Sequence, residues 1–394
     1  MKKSFSAVLK DNTMIIVLVV VYLFFTWRTG GNMFQPMNFN ALITQNAYVY
    51  ILASGMLMCM LTGGNIDLAC GSVVCLLGAI GAYFMVIREM NWVVSIILML
   101  LIGIAYGAVL GYLIAYLNIP PWIATLAGYL AFRGLGTAVL SGNSSTGSIS
   151  VKSCESFLAA FSGKLFSTKL NVLNKPCMVV GVVAALIVVI ANISGRARKV
   201  KKHYEADSLA LVLGKSVLEA AVILLVSYKL AMAGGIPTVL VWVAIVVLIY
   251  SFITEKSTIG RHFYVVGGNR EAARLSGVNT RRIMFIAYLN MAILTVVTTW
   301  VVLARFQAAN STAGTNYEMD AISACVVGGV SAYERYEMEQ FPSIVRHENV
   351  LDARRADLAA FERKAARKQG SRNCGRSCRS CQTGYDVEIH FPIL

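Results

Sequence analysis

Apolar runs of membrane-crossing length alternate along this chain with short polar breaks. The runs fall at 13–27, 41–61, 70–87, 92–117, 122–140, 178–193, 209–232, 236–254 and 283–304. A helix needs about 20 residues to cross the ~30 Å hydrocarbon core, and most of these runs approach that length. Runs this long predict helices, because a helix satisfies its own backbone groups where no water can reach. A tenth run, 321–330, stops well short of a crossing. The expectation is an all-α polytopic integral membrane protein with about nine complete transmembrane helices and an incomplete tenth.

The polar breaks orient the bundle. Lys2, Lys3 and Lys10 precede the first run, and Arg196, Arg198, Lys199, Lys201 and Lys202 follow the sixth. Lys256, Arg261, Arg270, Arg274, Arg281 and Arg282 fill the break after the eighth. Lys and Arg collect in cytoplasmic loops, each worth about 1 kcal/mol beside an anionic leaflet. With the N-terminus inside, even numbers of crossings return the chain inside at both later clusters. The same parity puts the Ser- and Gly-rich segment 141–176 outside as an extramembranous excursion. It puts the loop 63–69 on the inner side. No small-residue cleavage site follows the basic N-terminus, so an uncleaved first span is expected rather than a signal peptide.

Composition agrees. The 394 residues are 57% hydrophobic and 14% charged, against about 25% charged in a soluble domain, and the mean hydropathy is +0.65. A formal charge of +15 would suggest nucleic acid in a soluble protein. Here inward-facing positive charge accounts for it, so membrane lipids are the expected surroundings and no nucleic-acid partner is expected.

Two polar breaks carry the candidate chemistry. Gly63, Gly64, Asn65, Ile66 and Asp67 stand between the second and third runs. The glycines allow the backbone to break and expose amides, as in re-entrant elements. A carboxylate well inside hydrocarbon costs at least ~3 kcal/mol, so Asp67 is expected to face protein or a watery path. Asp67 reads as a pathway element or as a cap on the third span. The second break, 261–278, begins with an apolar stretch, 263–266, and the pair Gly267-Gly268. Asn269 is placed to cap a short helix that Gly277 ends. Such a helix is too short to stand alone in water, so it reads as a docking element for a partner or as a connecting loop.

Other residues have structural readings. Gly103, Gly107 and Gly111 form a small-xxx-small stripe that allows close helix approach. Arg133 reads as a pathway residue or interhelical pair, or as a side chain that snorkels to the nearby interface, with the structural role favoured, and Trp122, Trp242 and Trp300 as belt or packing aromatics. No motif for catalysis emerges. Gly214-Lys215-Ser216 lacks the first glycine of a phosphate-binding loop and lies in an apolar run. The four histidines show no metal spacing, and Cys374, Cys378 and Cys381 with His390 make only a partial zinc pattern. No catalytic residue, metal or cofactor is therefore expected. Cys154 and Cys177 flank the outer excursion and could pair in an oxidising compartment.

Three segments in order carry a resemblance. They are LTGGNIDLACGSVV (61–74), NIPPWIATLAGYLAFRGLG (118–136), and VVGGNREAARLSGVNTRRIMF with FQAANSTAGTNYEMDAISACVVGGVSAY (265–285 and 306–333). Together they resemble the membrane permeases of bacterial ATP-binding-cassette importers for monosaccharides, of the ribose, xylose and galactose type. The excursion at 141–176 and the hairpin near 209–254 resemble xylose or multiple-sugar permeases most. The resemblance implies that Gly63, Gly64, Asn65 and Asp67 line the substrate pathway, with Ala69 where serine is usual. It implies that Gly268, Asn269, Arg270, Glu271, Ala272, Ala273, Ser276 and Gly277 form the docking segment for a separate cassette ATPase. An extracytoplasmic sugar-binding protein, a homodimeric or paired permease, and residence in the bacterial inner membrane follow from the same resemblance. A secondary sugar transporter, a channel or a truncated, transport-incompetent permease is the competing reading.

The likeness ends near Tyr333. Residues 1–333 make the expected permease domain, and 334–394 a charged tail unrelated to the family. The expectation is that the reading frame was lost there, with a genuine cytoplasmic tail as the alternative. Resequencing decides between them: an uninterrupted frame with no downstream code for further spans defeats the first.

Overall fold

A computed structural model of the chain describes residues 13–166, 174–201 and 209–330, which are mainly helical. Helices α1 (Thr13–Arg28), α2 (Pro36–Gln45) and α3 (Ala47–Met60) open it. Helix α4 (Cys70–Ala82) runs into a π-helical turn, Tyr83–Ile87, and α5 (Trp92–Ala115) and α6 (Pro121–Asn143) follow. Strand β1 (Ser148–Ser150), helix α7 (Glu155–Ser162) and strand β2 (Lys164–Leu165) fill the outer excursion. Helices α8 (Lys175–Lys201) and α9 (Leu209–Met232), strand β3 (Ile236–Pro237) and helix α10 (Thr238–Lys256) come next. Two short helices, α11 (Thr258–Gly268) and α12 (Arg270–Leu275), lead to α13 (Thr280–Phe306), strand β4 (Ala308–Asn310) and α14 (Tyr317–Val327).

Among the described residues seven segments are long and apolar enough to cross a membrane: Pro36–Met60, Cys70–Ile87, Trp92–Ala115, Pro121–Asn143, Lys175–Ala197, Thr238–Lys256 and Thr280–Phe306. The two other expected crossings are also helical. Helix α1 has only 16 residues, and α9 has 24 but carries Lys215, Glu219 and Lys229. The expected second span starts earlier than its apolar run, because α2 and α3 join at Asn46 into one rod.

Burial identifies the axis of the bundle. About the Thr280–Phe306 span the membrane window is 72% buried, and about Cys70–Ile87 it is 67% buried. The spans Pro121–Asn143, Lys175–Ala197 and Thr238–Lys256 are each only 17% buried, which leaves them at the periphery of the bundle. The glycine stripe explains how α5 reaches α13. A Cβ on Gly103 would strike Val296, one on Gly107 would strike Ala292, and one on Gly111 would lie 3.1 Å from the Phe285 ring. Glycine is what lets these backbones approach.

The outer excursion differs from the expectation of a polar loop. Its first strand pairs antiparallel with β4, Ser148 opposite Asn310 and Ser150 opposite Ala308. Its helix sends Phe157 and Phe161 into the core. The Phe161 ring stacks on Trp242 at 5.2 Å and lies 5.7 Å from Trp300. The polar count of the segment hid an amphipathic turn. Both tryptophans are thus packing residues. Cys154 and Cys177 are free. The tail 334–394, with Cys374, Cys378, Cys381 and His390, lies outside the described residues, as do Lys2, Lys3, Lys10 and Lys202 of the basic clusters.

Candidate functional site

The polar loop after α3 is built by its two glycines. Gly63 and Gly64 hold φ of +105° and +75°, left-handed values that side chains resist. Asn65 Nδ2 steadies the turn by donating to the Thr62 carbonyl at 3.1 Å and to Thr62 Oγ1 at 3.0 Å. The chain then climbs into the bundle. Tyr288 donates its hydroxyl to the Ile66 carbonyl at 3.5 Å. Tyr288 sits about 12 Å along α13 from its first residue, at 1.5 Å per residue. The loop therefore packs against the side of α13.

Asp67 ends the climb and is 1% exposed. Its two oxygens have different surroundings. Its Oδ1 accepts the Ala69 amide at 2.9 Å in a turn just before α4, whose N-cap position is Ala69 and which no side chain caps. Its Oδ2 is buried without a partner among the described residues. Burial pushes the carboxyl up to about 6; the Ala69 amide opposes the rise and the Glu318 charge adds to it.

The second polar break is two helices rather than a loop leading to one. Ser257 caps α11, its Oγ accepting the Gly260 amide at 2.9 Å. The buried face of α11 is Gly260, Phe263 and Val266. Asn269 caps α12 as expected, Oδ1 accepting the Ala272 amide at 2.9 Å. Gly277, at φ +85°, ends it. The apolar residues 263–266 read as a short approach; their three-residue spacing with Gly260 was the helical signal. On α12, Ala273 is wholly buried while Leu275 is 83% exposed. Glu271 and Arg274 pair across the outer face at 3.0 Å.

These two breaks, 200 residues apart in sequence, meet at Gly267. A Cβ there would collide with the Leu61 carbonyl oxygen and lie 3.4 Å from the Gly63 amide nitrogen. Phe263, Val266 and Ala273 share an apolar cluster with Cys59, Met60 and Leu61. Gly268, Asn269, Arg270, Glu271, Ala272, Ser276 and Gly277 stay at the surface, as does Gly63, while Gly64 and Asn65 are half-buried, so the contact is made through Gly267.

A second intruding segment comes from the opposite side. Residues 311–316 follow β4 and descend to the start of α4, where a Cβ on Gly314 would strike the Gly71 carbonyl and one on Gly71 would strike Gly314 and Glu318. Arg133 holds this segment. Its Nη1 donates to the Ser311 carbonyl at 3.1 Å and the Ala313 carbonyl at 2.7 Å. Glu318 was missed by sequence reasoning: it sits among residues read as a tenth span's approach. Arg133→Met leaves two carbonyls unpaired, worth about 3 kcal/mol together. Amide exchange across 308–316 is expected to speed more than tenfold; unchanged protection refutes the clamp.

Such a bundle, with seven helices long and apolar enough to cross a membrane among the described residues and two polar segments packed into it, has the architecture of a polytopic membrane protein. Comparison narrows the class. The family described as "Branched-chain amino acid transport system / permease component" matches residues 38–335, and the chain belongs to it. It is 31% identical over 320 residues to the xylose transport system permease protein XylH of Escherichia coli (strain K12), covering 81% of this chain and 78% of that one. It is 31% identical over 321 residues to XylH of Haemophilus influenzae, 81% of each. The ribose import permease protein RbsC of Escherichia coli (strain K12) is 27% identical over 323 residues, 82% of this chain and 78% of that one. No solved structure gives a significant match. The resemblance to bacterial cassette-importer permeases is borne out at the level of family, and with it multi-pass residence in the inner membrane. Among the described residues no group of three or more His, Cys, Asp or Glu could hold a metal ion.

Proposed function

We propose that this chain is the membrane-spanning permease subunit of an ATP-binding-cassette importer for a monosaccharide, xylose first among pentoses and hexoses. The xylose and ribose systems named among its relatives support the substrate class. Gly63, Gly64, Asn65 and Asp67 line the path, and residues 268–277 receive a separate ATPase. A sugar-binding protein delivers substrate on the outer face, a second permease completes the path, and lipid covers the exposed rim. The observation that carries the reading is the seating of Gly267 on Leu61 and Gly63. A force applied at α12 reaches the polar loop through one helix, with no flexible linker between.

The test is co-purification from the native membrane, identifying the nucleotide-hydrolysing subunit that accompanies the chain. Leu275 supplies the knob, since a large apolar side chain 83% exposed beside charged neighbours marks an interface. Leu275→Asp is expected to reduce recovery of that subunit about tenfold, a loss of ~1.4 kcal/mol, with thermal stability unchanged. A charge at the wholly buried Ala273 would instead break the local fold, so it does not report docking. Undiminished recovery with Leu275→Asp and Ala272→Glu combined refutes the docking role.

A further inference from the structure

We propose that Asp67 and Glu318 together bind one proton, a site formed where the two intruding segments meet at the first turn of α4. Asp67 arrives on the inner loop, immediately before that turn. Glu318 arrives from the outer segment, its Oε2 lying over Gly71 so closely that a Cβ there would strike it. The two acids are 1% and 4% exposed. Asp67 Oδ2 and Glu318 Oε2 are each buried without a hydrogen-bond partner among the described residues. Two acids thus close on one helix end, each with an idle oxygen.

Charge counting shows what is missing. The titratable groups facing the pair are Cys59 on α3, Cys70 on α4, Tyr106 on α5, Arg133 on α6, Tyr288 on α13 and Asp320 on α14. Arg133 alone among them is cationic, and it acts on Glu318. One cation balances one carboxylate, and Asp320, which accepts the Tyr48 hydroxyl, adds a further negative charge beside Glu318. The start of α4 adds roughly half a positive charge, too little for a second. Two buried carboxylates with one counter-charge are expected to keep one proton between them. That proton takes one negative charge off the pair and gives one idle oxygen an O–H to donate. The raised Asp67 carboxyl, at about 6, puts release of the proton between acidic and neutral pH.

The sign follows. The folded state holds the proton more tightly than the unfolded chain, so stability falls as pH rises from about 4 to 6 and stays lowered above that. The site deepens the reading of Asp67 as a path residue, but its tests need no transport, so the two can fail separately. The full chain in lipid nanodiscs is examined by infrared spectroscopy between about pH 5.5 and 8. A protonated-carboxyl band is expected at the acidic end and gone at the basic end. Asp67→Asn removes it, because the remaining Glu318 is left with Arg133. Glu318→Gln moves its midpoint to lower pH. Asp67→Asn keeps the oxygen that receives the Ala69 amide, so it folds, and its melting temperature rises by about 3–6 °C at the basic end only. Replacing Na+ by K+ or choline leaves the band unchanged. A band missing in the unaltered chain, untouched by both substitutions, or displaced by Na+ (the mark of a small-cation site) overturns the proposal.

Discussion

Gly107→Val is expected to abolish accumulation of folded protein in the membrane. The valine Cβ would strike Ala292, and it would lie 3.3 Å from the Leu289 Cα, which is backbone and cannot swing aside. Helices α5 and α13 must therefore part, and α13 carries the most buried membrane window of the bundle. Overpacking of this kind costs about 3 kcal/mol, a large share of the 5–15 kcal/mol by which folded proteins are stable. Lipid tails are as apolar as the side chains released, so little is regained by separation. Gly134→Ala on α6, where nothing lies within 4 Å of the new Cβ, is the control and should be neutral or slightly stabilising. Size-exclusion profiles and thermal unfolding of both variants decide it. A monodisperse Gly107→Val protein melting with the unaltered chain would remove the stripe from the account of the core.

Gly267→Val is expected to separate ATP hydrolysis from sugar uptake. The collision is with the Leu61 carbonyl, so α11 must lift away from the polar loop after α3. The outer face of α12, with Leu275 exposed, keeps its shape. ATPase recovery should therefore persist while uptake into reconstituted vesicles falls at least about tenfold, which needs only ~1.4 kcal/mol of lost coupling. Gly214→Ala on α9, with nothing within 4 Å, should leave uptake intact. Normal uptake by Gly267→Val would show that the drive enters elsewhere.

Much of the architecture was legible because lipid makes a strict reader of sequence. Apolar runs of the right length had to be helices. Asn269 and Gly277 announced a capped helix through chemistry local to a few residues, and Gly63-Gly64 announced a break for the same reason. The outer segment was misjudged where polar residues outnumbered the two phenylalanines that decide its packing. Residues 258–268 were misjudged because a short helix with one buried face looks like a broken apolar run.

From sequence alone came the class and the two polar breaks, each set by the length or turn chemistry of neighbouring residues. Tertiary structure alone decided that the breaks touch at Gly267, that Arg133 holds the outer segment, and that Glu318 shares a helix end with Asp67. Those facts depend on how close two backbones come, and closeness between residues far apart in a chain is set by packing, which no local pattern records.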